Sequence, residues 1–143
     1  MVILIQKTVL LVFLAAAAFI DYRRHSLPWI LIAAGAVCGI TLQIIIRGES
    51  LLSIIGGCGT GLVLLLLFFL SHGRIGPGDG LSLAVSGIFL GFTANLFLLL
   101  FSSIFSGLTA LFLIVVKKYK KDHNIPFMPF VLGGYVCLLL FSV

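Results

Sequence analysis

The sequence predicts an all-α membrane protein, a compact polytopic bundle of about six transmembrane helices. Of its 143 residues, 62% are hydrophobic and only 9% are charged, a balance far outside that of a soluble domain. The apolar residues are gathered into runs close to the length of about 20 residues that crosses a bilayer. The short polar segments between those runs carry cations that fall unevenly on alternate loops, as they do in membrane proteins with a fixed orientation. No soluble domain fits beside the runs, so residues 1–143 are read as a single transmembrane domain.

The first run, Val2 to Ile20, ends at Asp21-Tyr22-Arg23-Arg24-His25. Phe19-Ile20-Asp21-Tyr22, directly after Ala18, makes a poor small-residue cleavage site, so the run reads as a retained span and not as a removed signal peptide. The second run opens with Ser26 as a cap and Pro28 in the first turn, where proline has no helical bond to lose. It continues to about Ile46 and is closed by Arg47-Gly48-Glu49-Ser50. The third spans Leu51 to Leu70. From Leu81 to Val116 there are 36 residues without a charge, too many for one span, and the break is expected at Gly91-Phe92-Thr93-Ala94-Asn95. That yields a shorter fourth helix and a full-length fifth. Lys117 to Asn124 reads as a solvated loop, and Pro126 opens a sixth helix reaching the C-terminus.

Small residues recur at four-residue spacing in Gly35/Gly39, Gly57/Gly61 and Gly87/Gly91, which lets membrane helices approach closely. The Gly56–Gly61 run has no lysine after it and lies within a span, so helix packing explains it better than a nucleotide loop. Cys38, Cys58 and Cys137 sit in apolar runs without CxxC spacing and read as core thiols. The polar residues Gln43, Thr60, Ser86 and Ser106 look scattered.

With six spans the odd loops share one side. They hold Arg23, Arg24, Arg74, Lys117, Lys118, Lys120 and Lys121, seven of the nine cations. Lysine and arginine in short loops are retained on the cytoplasmic side, so both termini are expected outside, in a multi-pass protein of the cytoplasmic membrane. The same topology puts Asp21 and Asp79 at one cytoplasmic boundary.

Those two acids are the candidate catalytic residues. Asp79 lies in His72-Gly73-Arg74-Ile75-Gly76-Pro77-Gly78-Asp79-Gly80-Leu81, between apolar walls. Its bland reading is a helix N-cap facing free amides and the positive dipole end. Asp21 closes the first helix, where the dipole disfavours a carboxylate, and its bland reading is a pair with Arg23 or Arg24. An acid placed against its local preference in a membrane segment is a functional candidate. Two close carboxylates do not both ionise cheaply, so they share a proton, and one can activate water while the other polarises a carbonyl. From helix position alone, that proton is expected mostly on Asp21. Zinc chemistry is disfavoured because His25, His72 and His123 lack HxxxH spacing, and no GxSxG marks a nucleophilic serine. Neither a metal nor another cofactor is expected, and no nucleic-acid partner.

Gly76-Pro77-Gly78-Asp79 matches GxGD, and the continuation Gly80 to Gly91 resembles the type IV prepilin peptidase pattern GxGDxKLLAxxGxxLG. Ile20-Asp21 followed by a basic stretch and Leu27-Pro28 is similar to that family's first catalytic segment. Ile125-Pro126-Phe127-Met128-Pro129-Phe130 resembles its IPFGPF. The resemblance implies an intramembrane aspartic endopeptidase that removes the basic leader of prepilins or pseudopilins near the cytoplasmic face, with Asp21 and Asp79 catalytic. It also implies that Gly76, Gly78, Gly80, Pro126 and Pro129 supply the motif backbone. The implied partners are a prepilin-like membrane protein with a basic leader and the lipid bilayer. The long members' N-terminal extension, with its cysteine tetrad and methyltransferase role, has no counterpart, so the short peptidase-only form is expected. Leu81 replaces the family lysine, Pro28-Trp29 a Pro-Asp pair and Met128 a glycine. A catalytically inactive relative in a pilus or secretion assembly is therefore the alternative, followed by an ion-coupled carrier.

Overall fold

The structure is a computed structural model and describes residues 2–46, 48–70, 76–117 and 126–141. Within them the chain is helical: α1 (Val2–Arg24), α2 (Trp29–Ile46), α3 (Leu51–Leu70), α4 (Pro77–Lys117) and α5 (Met128–Leu140). Arg47, His72, Arg74 and the expected solvated loop beyond Lys117 lie outside the described residues.

Five helices stand where six were expected, because the expected fourth and fifth form one run, α4, interrupted at Gly91 (φ 71°, ψ −172°). The interruption reverses the chain. Asn95 Nδ2 donates to the carbonyl of Leu83 at 3.0 Å, although an unbroken helix would separate residues 12 apart by about 18 Å. Residues 77–90 thus form an outgoing arm and residues 92–117 a return arm. By length and composition α1, α2 and α4 can cross a membrane, whereas Leu51–Leu67 of α3 and α5 are shorter apolar helices.

Each terminus follows from local chemistry. Helix α1 runs past Ile20 and takes Asp21 into its last turn; it stops at His25, whose φ of 50° is left-handed and whose amide returns to the Asp21 carbonyl at 2.8 Å. That is the αL closure usually given to glycine. Helix α2 starts at Trp29, one residue past Pro28, and Leu31 N–H pairs with the Pro28 carbonyl at 3.1 Å. Ser26 therefore stands outside the cap position expected for it. Ser50 caps α3, its Oγ accepting from Ser53 N–H at 3.2 Å, the ordinary serine cap. Helix α5 begins at Met128, two residues later than expected, with Phe127 as an N-cap that makes no side-chain bond.

The centre of the molecule is α4. It packs against all four other helices, and α3 packs on α4 alone among the described helices. Where α3 meets the outgoing arm the backbones nearly touch: a Cβ on Gly57 would lie 2.6 Å from the Gly87 carbonyl oxygen. Gly35 and Gly39 serve differently, making room for the rings of Phe13 and Phe89. The buried apolar core joins Leu10 and Leu14 of α1, Leu83 and Leu98 of α4, and Met128 and Val131 of α5. Large apolar side chains such as Trp29, Ile44, Leu52 and Phe69 point outward, as expected where the solvent is lipid.

Candidate active site

One end of the bundle gathers the end of α1, the start of α2 and the first turns of α4 and α5. Asp21 and Asp79 both lie there, buried to 6% and 9% exposure. The charge of Asp21 acts on Asp79 across the gap between α1 and α4. Like-charged carboxylates held together away from water are expensive unless other groups receive them.

Asp21 is received by a neighbouring helix. Met128 opens α5 and Phe127 supplies no capping side chain, so the Met128 amide is free of any local partner. It donates to Asp21 Oδ2 at 3.1 Å. The next amides, of Phe130 and Val131, use the Phe127 carbonyl. Asp21 thereby caps α5 across the bundle, in favourable register with that helix's positive dipole end. The expectation that the shared proton rests mostly on Asp21 weighed the start of α4 against the end of α1 and took no account of α5, whose Met128 amide Asp21 receives. The bland pairing with Arg23 is not what that side chain does: its guanidinium stacks 4.8 Å from the centre of the Phe19 ring.

The motif around Asp79 packs by its glycines. Pro77 occupies the first turn of α4, and Asp79 N–H returns to the Gly76 carbonyl at 3.2 Å. Gly76, Gly78 and Gly80 face three different neighbours. A Cβ on Gly76 would lie 3.0 Å from Asp79 Oδ2, one on Gly78 3.0 Å from Leu27 Cβ, and one on Gly80 3.0 Å from the Gly61 carbonyl oxygen. The stretch therefore lies between α3 and the α1–α2 connection, at separations that side chains would close. Leu27, from the Leu-Pro pair after α1, is the element that touches Gly78. Pro126 and Pro129 are half-buried at the start of α5.

The opposite end and the interior hold polar groups whose roles were not evident from their spacing. At the reversal, Gln43 Nε2 donates to the Ile88 carbonyl at 2.7 Å, and Gln6 Nε2 donates to that of Phe89. Phe92 N–H donates to Ser53 Oγ at 3.1 Å, and that hydroxyl donates to Glu49 Oε2 at 2.8 Å. These side chains serve the ends of the two arms. Deeper in, Asn95 is fully buried and binds Gly57 O, Thr60 Oγ1, Leu83 O and Ser86 Oγ. Gln43, Thr60 and Ser86 are thus not scattered, as they appear in the sequence; they belong to two clusters. The Asn95 amide spends its donors and one lone pair of its oxygen on the protein, which ties the two arms of α4 to α3.

An all-helical bundle of largely apolar helices with two acids buried at one end defines a class, a helical membrane-type protein. Within it the chain belongs to the type IV leader peptidase family, whose family model matches residues 8–111. The matched stretch contains Asp21 and Asp79 and ends before Pro126 and Pro129. No curated protein and no solved structure matches the chain.

Proposed function

We propose that the protein is an intramembrane aspartic endopeptidase that removes the short basic leader of prepilin-like membrane proteins at the cytoplasmic face, with Asp21 and Asp79 catalytic. The observation that carries this reading is the convergence of two buried carboxylates from α1 and α4 inside a stretch matched by the leader peptidase family. Chemically the pair holds one proton between them. The ionised partner withdraws a proton from water, and the protonated one donates to the scissile carbonyl as the tetrahedral intermediate forms. The same proton inventory then serves the departing amine, so the site needs no covalent intermediate.

In the bilayer the two arms of α4 count as separate crossings, which makes six with α1, α2, α3 and α5. Both carboxylates then stand at the boundary where α1 ends at Arg23 and Arg24 and α4 ends at Lys117. A leader attached to an apolar helix reaches that boundary by lateral diffusion. Because this face is itself basic, anionic headgroups hold leader and enzyme together.

The test is cleavage by the purified protein, in liposomes containing anionic lipid, of a peptide with a basic leader, a glycine and a 20-residue apolar helix. Mass spectrometry should find the leader and the trimmed helix, unchanged in yield by a chelator. An intact peptide under all conditions would count against the assignment.

A further inference from the structure

Ser82 Oγ is the one buried side-chain polar atom without a hydrogen-bond partner among the described residues. It lies in the outgoing arm of α4, three residues after Asp79, and is 1% exposed. Serine and threonine in helices ordinarily return the hydroxyl to the carbonyl four residues back, as Thr8, Thr41, Ser102 and Thr109 do here. Ser82 does not. Spacings of three and four place Asp79, Ser82 and Ser86 on one face of the helix. Ser86, the next hydroxyl on that face, bonds Asn95 Oδ1 and the Leu83 carbonyl. Ser82 is therefore an unused donor standing between the carboxylate pair and the saturated Asn95 cluster.

A buried hydroxyl without a partner weakens a fold that alanine would serve better. We propose that Ser82 is a positioning residue for the reaction proposed above, on which this inference rests. As the peptide docks, its hydroxyl turns to bond the Asp79 carboxyl group one turn away and fixes the orientation of that group toward the reacting carbonyl and water. Side chains three residues apart on a helix have Cβ atoms about 5–6 Å apart, a gap that a hydroxyl and a carboxylate close between them. The bond is absent from the resting protein and forms in the occupied site, so it belongs to the chemical step and not to substrate binding.

The experiment compares wild type, Ser82→Ala and Ser82→Thr in cleavage kinetics and in thermal unfolding of the purified protein in detergent. Ser82→Ala should lower kcat about tenfold, the worth of one hydrogen bond made only in the transition state, with KM within about twofold of wild type. Its unfolding temperature should equal or exceed that of wild type. Ser82→Thr, which keeps the hydroxyl, should recover most of the rate. A Ser82→Ala protein with wild-type kcat, a loss confined to KM, a lowered unfolding temperature, or a folded Ser82→Thr protein as slow as the alanine variant would each overturn the inference while the wild type still cleaves. A wild type that cleaves nothing would instead remove the peptidase reading and this inference with it.

Discussion

Asp21 caps α5 besides the catalytic role proposed for it, and substitution can separate the two. Its Oδ2 caps α5 through the Met128 amide, and asparagine keeps an acceptor at that place whereas alanine does not. Asp21→Ala should therefore lower stability by about 1 kcal/mol, the usual worth of a cap, and Asp21→Asn by much less, measured as thermal unfolding in detergent. Equal losses would show that the cap bond carries no weight. Asn95 is the second residue whose removal should be felt. Hydrogen bonds between membrane helices average under 1 kcal/mol each, so loss of the whole cluster in Asn95→Ala should cost about 2 kcal/mol. Both acids were legible in the sequence, because a carboxylate beside an apolar run needs a reason. The Met128 amide and Asn95 were not. The first is a backbone group at the start of α5, left free because Phe127 supplies no capping side chain, and the second acquires its partners only when the chain reverses.

At the scale of the element, the break in α4 governs the fold. The 36 uncharged residues announce by their number that one span cannot hold them, and the glycine that opens the expected break is the one that turns. Gly91 has φ 71°, and a Cβ there would meet Glu49 Oε2 at 2.5 Å. Gly91→Ala should combine left-handed strain with displacement of Glu49, a loss of about 2–3 kcal/mol. Gly107 is the control. It lies in the same helix with nothing within 4 Å of a built Cβ, so Gly107→Ala should be neutral or stabilise by up to about 1 kcal/mol, as it does in a helix interior. Thermal unfolding of the two proteins reads the difference directly, and similar behaviour would mean that the reversal does not depend on Gly91. Starts of α2 and α5 were harder to place than this break. In α2 the Leu31 amide turns to the Pro28 carbonyl and in α5 the Met128 amide turns to Asp21, neither of which is a local side-chain cap.

For the whole molecule, the sequence carries the membrane class in its composition and the pairing of ends in its charge pattern, but not the packing that makes α4 the centre. Asp21, Leu27, Asp79 and Met128 collect at one end, and Gln6, Gln43, Glu49 and Phe92 at the other. Placing the first end in the cytoplasm predicts that, in a variant with its three native cysteines replaced, an impermeant thiol reagent added outside labels Ser50→Cys and not Tyr119→Cys. The reverse pattern would invert the orientation. That Asp21 and Asp79 act as one catalytic pair is tested most directly by leader cleavage with Asp21→Asn and Asp79→Asn beside the wild type, each checked for folding by its unfolding temperature. Removing either member of a pair that works as a unit should cost nearly the whole reaction, on the order of a thousandfold or more. Both variants should stay folded and leave the substrate intact, whereas near-normal cleavage by either one would contradict the catalytic pair.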